Sequence, residues 1–301
     1  MTDYNIPRED NKWRRPLLYP PNGDKRVAYS RPSTLAKDID SKDGLIPWEQ
    51  TMVAMGLAKS KYLYNRVQGI LARGGSWDTD KAEFKSIMDD AKNAAQWKAQ
   101  ADRGTSIHDL TDAAERGILD WRYVDDDLKP VIESYMEDIV PHFTYLATEC
   151  FVAIDKPIEI PGKRKSVLRA AGSVDRVCEF DGKRYIVDVK SGRDDMFRTS
   201  VCGQLYLYSR GWLYRDDLVH ANSEITWADW RYDGVNPSAR AELGVEQDRA
   251  IMLQAPKVPD RDGTWRWKTF WIPLDRGEQV IMAGQYMRKA RYIPEFKRVE
   301  F

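Results

Sequence analysis

The segments Ala171-Gly-Ser-Val-Asp175 and Tyr185-Ile-Val-Asp188-Val-Lys190 constrain this chain more than any others. A carboxylate ends the first short apolar run, and an acid and a lysine stand two residues apart in the second, the period at which side chains share one face of a β-strand. Asp188 and Lys190 then share one face, and Val187 and Val189 share the other. Asp181-Gly182 lies between the segments and suits a two-residue hairpin turn. Pairing across that hairpin puts Asp175 and Asp188 on neighbouring strands, with their carboxylates close together. Two bare acids so placed repel, and one takes up a proton unless a divalent cation removes the penalty. Oxygen ligands favour Mg²⁺, Mn²⁺ or Ca²⁺ over zinc. Alone, Asp-x-Lys more often marks two solvated side chains, so the motif gains meaning only from its neighbours.

At 301 residues the chain is long enough to bury a sizeable core. Its 47 basic and 47 acidic side chains cancel, so any contact with nucleic acid must come from local basic patches. Cys150, Cys178 and Cys202 form no CxxC pair, which argues against a disulfide framework or a structural zinc site. The polar start does not read as a signal peptide, and no apolar run approaches membrane-spanning length. The expectation is a cytoplasmic protein with no membrane partner.

The pattern predicts an α/β fold with a mixed central β-sheet flanked by helices and an N-terminal helical region. Residues 1–46 read as an extended arm with basic spots at Lys12-Trp-Arg-Arg15 and Lys25-Arg26, which could wrap the body or touch a ligand, loose docking being the commoner outcome. Residues 47–147 read as helical, with segments from Pro47 to Ala72, Thr79 to Gln100, Thr105 onward, and Asp126 to Phe143. The Asp125-Asp126-Asp127 run suits the start of that last helix rather than a metal site. Residues 148–220 form the core, with strands Cys150–Ile154, Ser166–Val177 and Arg184–Val189 and a helix over Asp195–Trp212. Residues 221–301 add strands at Glu224–Tyr232, Ala250–Leu253 and Thr264–Ile272 and a last helix over Arg276–Arg291, as one compact domain with the core.

His108 ends the run Arg103-Gly-Thr-Ser-Ile-His108. With Gly104 as a break and Thr105 as an N-cap, it falls in a first helical turn. The positive end of the helix dipole there disfavours the protonated imidazole, and a neutral ring can ligate a metal. A packed histidine is the commoner meaning of such a residue. Gln204 and Tyr208 stand at i and i+4 and share a helix face. Gln204 is placed to meet Lys190 or a phosphate oxygen, while Val201, Leu205 and Trp212 form a core stripe. Carboxylates for a hard cation beside a fixed amine suit phosphodiester hydrolysis.

The series Gly104-Thr105-x-x-His108, Gly172-x-x-Asp175, Asp188-x-Lys190 and Gln204-x-x-x-Tyr208 resembles the RecB-like branch of the PD-(D/E)XK nuclease superfamily. Order and spacing agree over residues 103–212. The resemblance implies a restriction-endonuclease-like core and a metal-dependent DNA exonuclease acting at linear duplex ends in phage or bacterial recombination or repair. It implies His108, Asp175, Asp188 and the Val189 carbonyl as ligands of Mg²⁺ or Mn²⁺. Asp175, Asp188, Lys190, Gln204 and Tyr208 would form the catalytic set, and Glu149 resembles an accessory acid of some relatives. No cysteine follows Cys202, so the iron–sulfur cluster of related exonucleases is not expected. A single-strand annealing protein would be a natural partner, a ring-shaped oligomer is left open, and a phage enzyme would work in the host cytoplasm.

DNA would be held mainly through phosphates. Lys163, Arg164, Lys165, Arg169, Arg193 and Arg198 are the candidates near the site, with Arg288, Lys289, Arg291, Lys297 and Arg298 further on. Trp227, Trp230, Tyr232, Trp265, Trp267 and Trp271 are candidates for base stacking, although sheet packing is their commoner role. The alternatives are an endonuclease with the same centre and a catalytically silent nucleic-acid-binding module.

Overall fold

The computed structural model describes residues 9–21, 25–40, 45–159, 166–191, 198–214, 235–236 and 240–291. A small hairpin comes first, β1 (Leu17–Leu18) with β2 (Val27–Ala28), then the short helix α1 (Pro32–Ala36). Helices α2 (Leu45–Lys59), α3 (Lys61–Ala72), α4 (Trp77–Ala94), α5 (Ala99–Glu115) and α6 (Lys129–Asp138) follow. The period then changes to that of strands: β3 (Thr144–Ile158), β4 (Ser166–Phe180) and β5 (Lys183–Lys190). After α7 (Arg198–Ser209) come β6 (Trp212–Tyr214), β7 (Val235–Asn236), β8 (Arg240–Glu242), β9 (Arg249–Gln254), β10 (Lys268–Pro273) and α8 (Leu274–Ala290).

Asp181 and Gly182 close the β4–β5 turn with φ of 50° and 70°, the left-handed pair that a two-residue hairpin requires. The strands assemble in the order β10-β9-β5-β4-β3-β6-β8-β7. β5 and β9 run parallel, and the other neighbours are antiparallel, so the sheet is mixed. Helices cover both faces. On one, Leu205 of α7, Ile281 of α8 and Leu35 of α1 pack on Val152, Val174 and Ile186. On the other, Ile107 of α5 and Val131 and Tyr135 of α6 pack with Val187, Val189, Ile251 and Leu253. The expected alternation of β5 is thus realised, with Val187 and Val189 on one face and Ile186 on the other. The fold is α/β, a mixed sheet flanked by helices. Close packing of α7 on α8 requires Gly277, where a Cβ would lie 2.2 Å from the Cys202 carbonyl oxygen.

The chain divides into two compact units, one of the described residues before Ser41 with those from Ile107 onward, the other within Ser41–Ser106. The helical stretch 47–147 is therefore shared: α2, α3 and α4 lie in the second unit, and α6 and the His108 end of α5 in the first. The second unit buries Leu63, Ile70, Ile87 and Ala91.

Three expectations are corrected. The arm is not loosely docked: Leu18, Tyr29, Leu35 and Ala36 are buried, and the Tyr29 hydroxyl donates to Asp155 at 2.8 Å. Gly104 does not break the chain, because α5 runs through it. Thr105 is consequently no N-cap; its hydroxyl donates to the Ala101 carbonyl one turn back, at 3.2 Å. The Pro47–Ala72 helix is split at Ser60, whose Oγ accepts the Leu63 N–H. The strand expected at Glu224–Tyr232 lies outside the described residues. Among the described residues no helix is long and apolar enough to cross a membrane.

Candidate active site

Pairing of β4 with β5 runs from Phe180↔Lys183 to Arg176↔Val187 and stops there. β5 continues against β9 as far as Lys190. Asp175 is the next residue of β4 after the last pair, and its Oδ2 accepts the Val189 N–H at 3.0 Å, replacing a ladder bond with a side chain. The N–H and C=O of one strand residue point to the same edge, so the Val189 carbonyl faces the same opening. The arm takes the edge that β5 leaves. Ser30 donates its N–H to the Arg169 carbonyl at 3.1 Å, and its own carbonyl accepts the Ala171 N–H at 2.9 Å.

The neighbouring ladder is irregular at the same level. Thr148↔Arg176 and Cys150↔Val174 pair, but Glu149 and Asp175 between them do not. Glu149 has φ of 51°, and Ala147 and Cys150 on either side of it pack into the same core. A non-glycine residue at positive φ is strained backbone of the kind that clusters at functional sites.

Asp188 is buried, and Lys190 Nζ lies 2.9 Å from its Oδ1 and 2.7 Å from its Oδ2. Only the first contact has hydrogen-bond geometry, which leaves Oδ2 buried without a hydrogen bond. Burial pushes the Asp188 carboxyl up to about 7, with Asp175 adding to the rise and Lys190 opposing it. Burial also acts on Asp175, but His108, Lys190, Arg176 and the Val189 N–H outweigh it and hold that carboxyl below its ordinary value. Burial alone would lower Lys190, yet Asp188 and Asp175 raise it. Lys190 is therefore a fixed cation rather than a free amine base.

His108 Nδ1 lies 3.4 Å from Asp175 Oδ2. The ring is disposed to be neutral, as expected, but for a different reason. It sits well inside α5, beyond reach of the terminal dipole, and burial lowers its pKa while Asp175 opposes. Tyr208 is buried on α7, its hydroxyl hydrogen-bonded to Gln204, and burial pushes its pKa well above the usual tyrosine range. A Cβ on Gly172 would lie 3.3 Å from the Tyr208 hydroxyl and 3.1 Å from Pro32 Cδ, so the glycine makes room for both.

Glu149 was expected as an accessory acid from the resemblance alone; sequence reasoning missed Asp109 and Asp112 beside it, and it missed a second group. Burial and the neighbouring Asp175 push Glu149 up to about 7, with Arg176 opposing and Asp112 and Asp109 adding. Asp109 and Asp112 follow His108 on the same helix, at i+1 and i+4, and that spacing was the available signal. The second group is a buried polar cluster behind Asp175. Arg176 Nε donates to Glu115 Oε1 at 2.5 Å and Nη2 to Thr111 Oγ1 at 2.6 Å. Tyr135 donates to the same Glu115 oxygen, and its hydroxyl lies 3.0 Å from that of Tyr145. An arginine between Val174 and Val177 was the clue. The cluster ties α5, which carries His108, to β4, which carries Asp175.

Among the described residues no three His, Cys, Asp or Glu side chains are gathered as a ready metal-ligand group. The donor types nevertheless fit a hard divalent cation: carboxylates, a neutral imidazole, a carbonyl at an open strand edge, and the buried Asp188 Oδ2 that lacks a hydrogen bond.

Of the expected DNA contacts, Lys163, Arg164, Lys165, Arg193, Lys297 and Arg298 lie outside the described residues, as do Trp227, Trp230 and Tyr232. Arg169 is exposed and pairs with Asp155 at 3.2 Å; Arg198 is exposed at the start of α7; Arg288 pairs with Asp38. Trp267 is buried and donates Nε1 to the Val131 carbonyl at 2.9 Å. Trp271 packs on Phe180 and Tyr185, with Arg249 4.2 Å over its ring, and Trp265 joins the same cluster. Trp267 thus serves packing, whereas Trp271 remains 47% exposed.

Fold and site together define an α/β protein with an acid-rich, lysine-bearing opening between two central strands. No protein-family model matches the chain, and no curated protein matches it. A solved structure described as the crystal structure of SSO0001 aligns over 85% of this chain and 91% of its own, at 13% identity and a TM-score of 0.31. At that score the likeness carries no argument.

Proposed function

We propose that this chain is a metal-dependent DNA exonuclease of the RecB-like PD-(D/E)XK kind, acting on linear duplex ends in recombination or repair. The observation that supports this best is the opening of the β4–β5 pair at Asp175, where Asp175, Asp188, Lys190 and His108 lie next to one another. Asp175, Asp188, His108 and the Val189 carbonyl would hold Mg²⁺ or Mn²⁺. The cation would supply a lowered water pKa and charge neutralisation at the scissile phosphate. Lys190 adds fixed positive charge where negative charge grows during hydrolysis. Tyr208 keeps its proton and so remains a hydrogen-bond donor beside Asp175 and Asp188, held by Gln204. Glu149 is a further acid available to the cation. Phosphate contacts supply DNA affinity, and the setting is the cytoplasm.

The test uses end-labelled linear duplex beside a covalently closed circle, with Mg²⁺, Mn²⁺ or EDTA. Wild type should degrade only the linear DNA, only with metal, and Asp188→Asn should abolish the reaction while its circular dichroism stays unchanged. Cutting of the circle would replace the exonuclease with an endonuclease. Full activity of Asp188→Asn would remove the centre.

A further inference from the structure

The arm carries a turn that this chemistry does not use. Asn11 Oδ1 accepts the backbone N–H groups of Trp13 at 3.0 Å and Arg15 at 3.1 Å, and the Arg14 N–H donates to the Asn11 carbonyl at 2.8 Å. Arg14 has φ of 57°, and its carbonyl accepts Arg31 Nε at 3.0 Å. The turn is thus held on both sides, and it presents Lys12, Trp13 and Arg14 outward. Trp13 is 69% exposed, with Lys12 Nζ 4.4 Å from its ring centroid. The acids at its base are already paired, Glu9 with Arg26 at 2.7 Å and Asp10 with Arg31 at 3.1 Å. Arg15 is turned onto the carbonyls of Ala28 and Tyr29. Among the described residues neither Lys12 nor Arg14 has an acidic partner.

The position of the turn matters as much as its composition. Arg31 follows Ser30, which occupies the β4 edge at Arg169 and Ala171. Pro32 comes next and touches Gly172, about 10 Å along the strand from Asp175. The turn is therefore tied, through Arg31, to the arm segment that lies along the β4 edge upstream of Asp175. An exposed indole flanked by two uncompensated cations matches one strand of nucleic acid, with phosphates on the cations and a base face on the ring. Base faces inside a duplex are covered by their neighbours, so away from a duplex end stacking on Trp13 takes an unpaired base. We infer that the Lys12–Trp13–Arg14 turn binds an unpaired stretch of DNA strand beside the candidate site. This rests on the DNA reading of that site.

The test is fluorescence anisotropy with a labelled single-stranded oligonucleotide and a blunt duplex, in EDTA and over a range of salt. It compares the full chain with Trp13→Ala, Trp13→Phe and the double variant Lys12→Ala/Arg14→Ala. Trp13→Ala should weaken single-strand binding about fivefold or more, and Trp13→Phe should recover most of it. The double variant should reduce the slope of log affinity against log salt by about 1.4. Blunt-duplex affinity should respond less to Trp13→Ala. Variants that bind like wild type, with the same salt slope, would remove the turn and leave the nuclease reading to the Asp188→Asn comparison. Wild type binding neither DNA would remove both.

Discussion

Replacing Arg176 with Met removes the charge between α5 and β4 while keeping much of the side chain's length. The pair it breaks is deep: the Arg176 and Glu115 side chains are 2% and 0% exposed. Removing one partner of such a pair costs about 3–5 kcal/mol, chiefly because the other charge is left buried. For a folded unit of this size that is a fall in Tm of about 8–15 °C. The loss should depend on pH, and its sign follows from Glu115. Burial already raises Glu115 above its ordinary value near 4.5, and the Arg176 guanidinium opposes that rise most strongly. Tyr135, Tyr145, Cys178 and Asp112 also face the carboxylate, and none of them is a cation. Without Arg176 the folded-state pKa climbs further. A group raised on folding contributes stability below its unfolded pKa and loses it as pH rises through its folded pKa. The deficit of Arg176→Met should therefore be small near pH 4.5 and grow toward neutral pH. Urea unfolding followed by circular dichroism at pH 5 and pH 7.5 reads both quantities. Arg176→Met/Glu115→Gln should recover most of the loss by removing the orphaned charge. A deficit under about 1 kcal/mol at pH 7.5, or one that does not change with pH, would refute the argument.

Two other substitutions test separate links. Lys190→Met should lower kcat about 100-fold with little change in the Mg²⁺ concentration for half-maximal activity, since the lysine acts as a fixed charge and not as a ligand; unchanged turnover would take it out of the mechanism. Gly277→Ala should destabilise by about 1–3 kcal/mol in urea titrations, because its Cβ would meet backbone rather than a movable side chain, 2.2 Å from the Cys202 carbonyl; a neutral result would show that α8 can shift.

Some of the site was legible because its signals are local. Alternation in Tyr185–Lys190 places Asp188 and Lys190 together, and Asp181-Gly182 fixes the hairpin, whatever the rest of the chain does. Helical spacing likewise put Gln204 and Tyr208 on one face, although it aimed Gln204 at Lys190 or a phosphate and the amide instead bonds the Tyr208 hydroxyl. Gly104 misled because a glycine lowers helix propensity by only about 1 kcal/mol, and continuation of α5 on both sides overcame it. The lowered pKa of His108 was anticipated from a helix end, whereas burial produces it, with Asp175 opposing and Arg176 and Lys190 adding.

The sequence by itself determined the strand and turn around the two acids, the shared face of Asp188 and Lys190, and the mixed α/β character of the fold. These depend on neighbours a few residues apart, and side-chain period and turn stereochemistry decide them. Only the tertiary structure decided that β4 and β5 part at Asp175, that Ser30 fills the vacated edge, and that Arg176 meets Glu115 across two elements. Each of those brings together residues far apart in the chain. Their energies come from desolvation and from backbone groups that must find partners, and no local pattern records which distant residue will supply them.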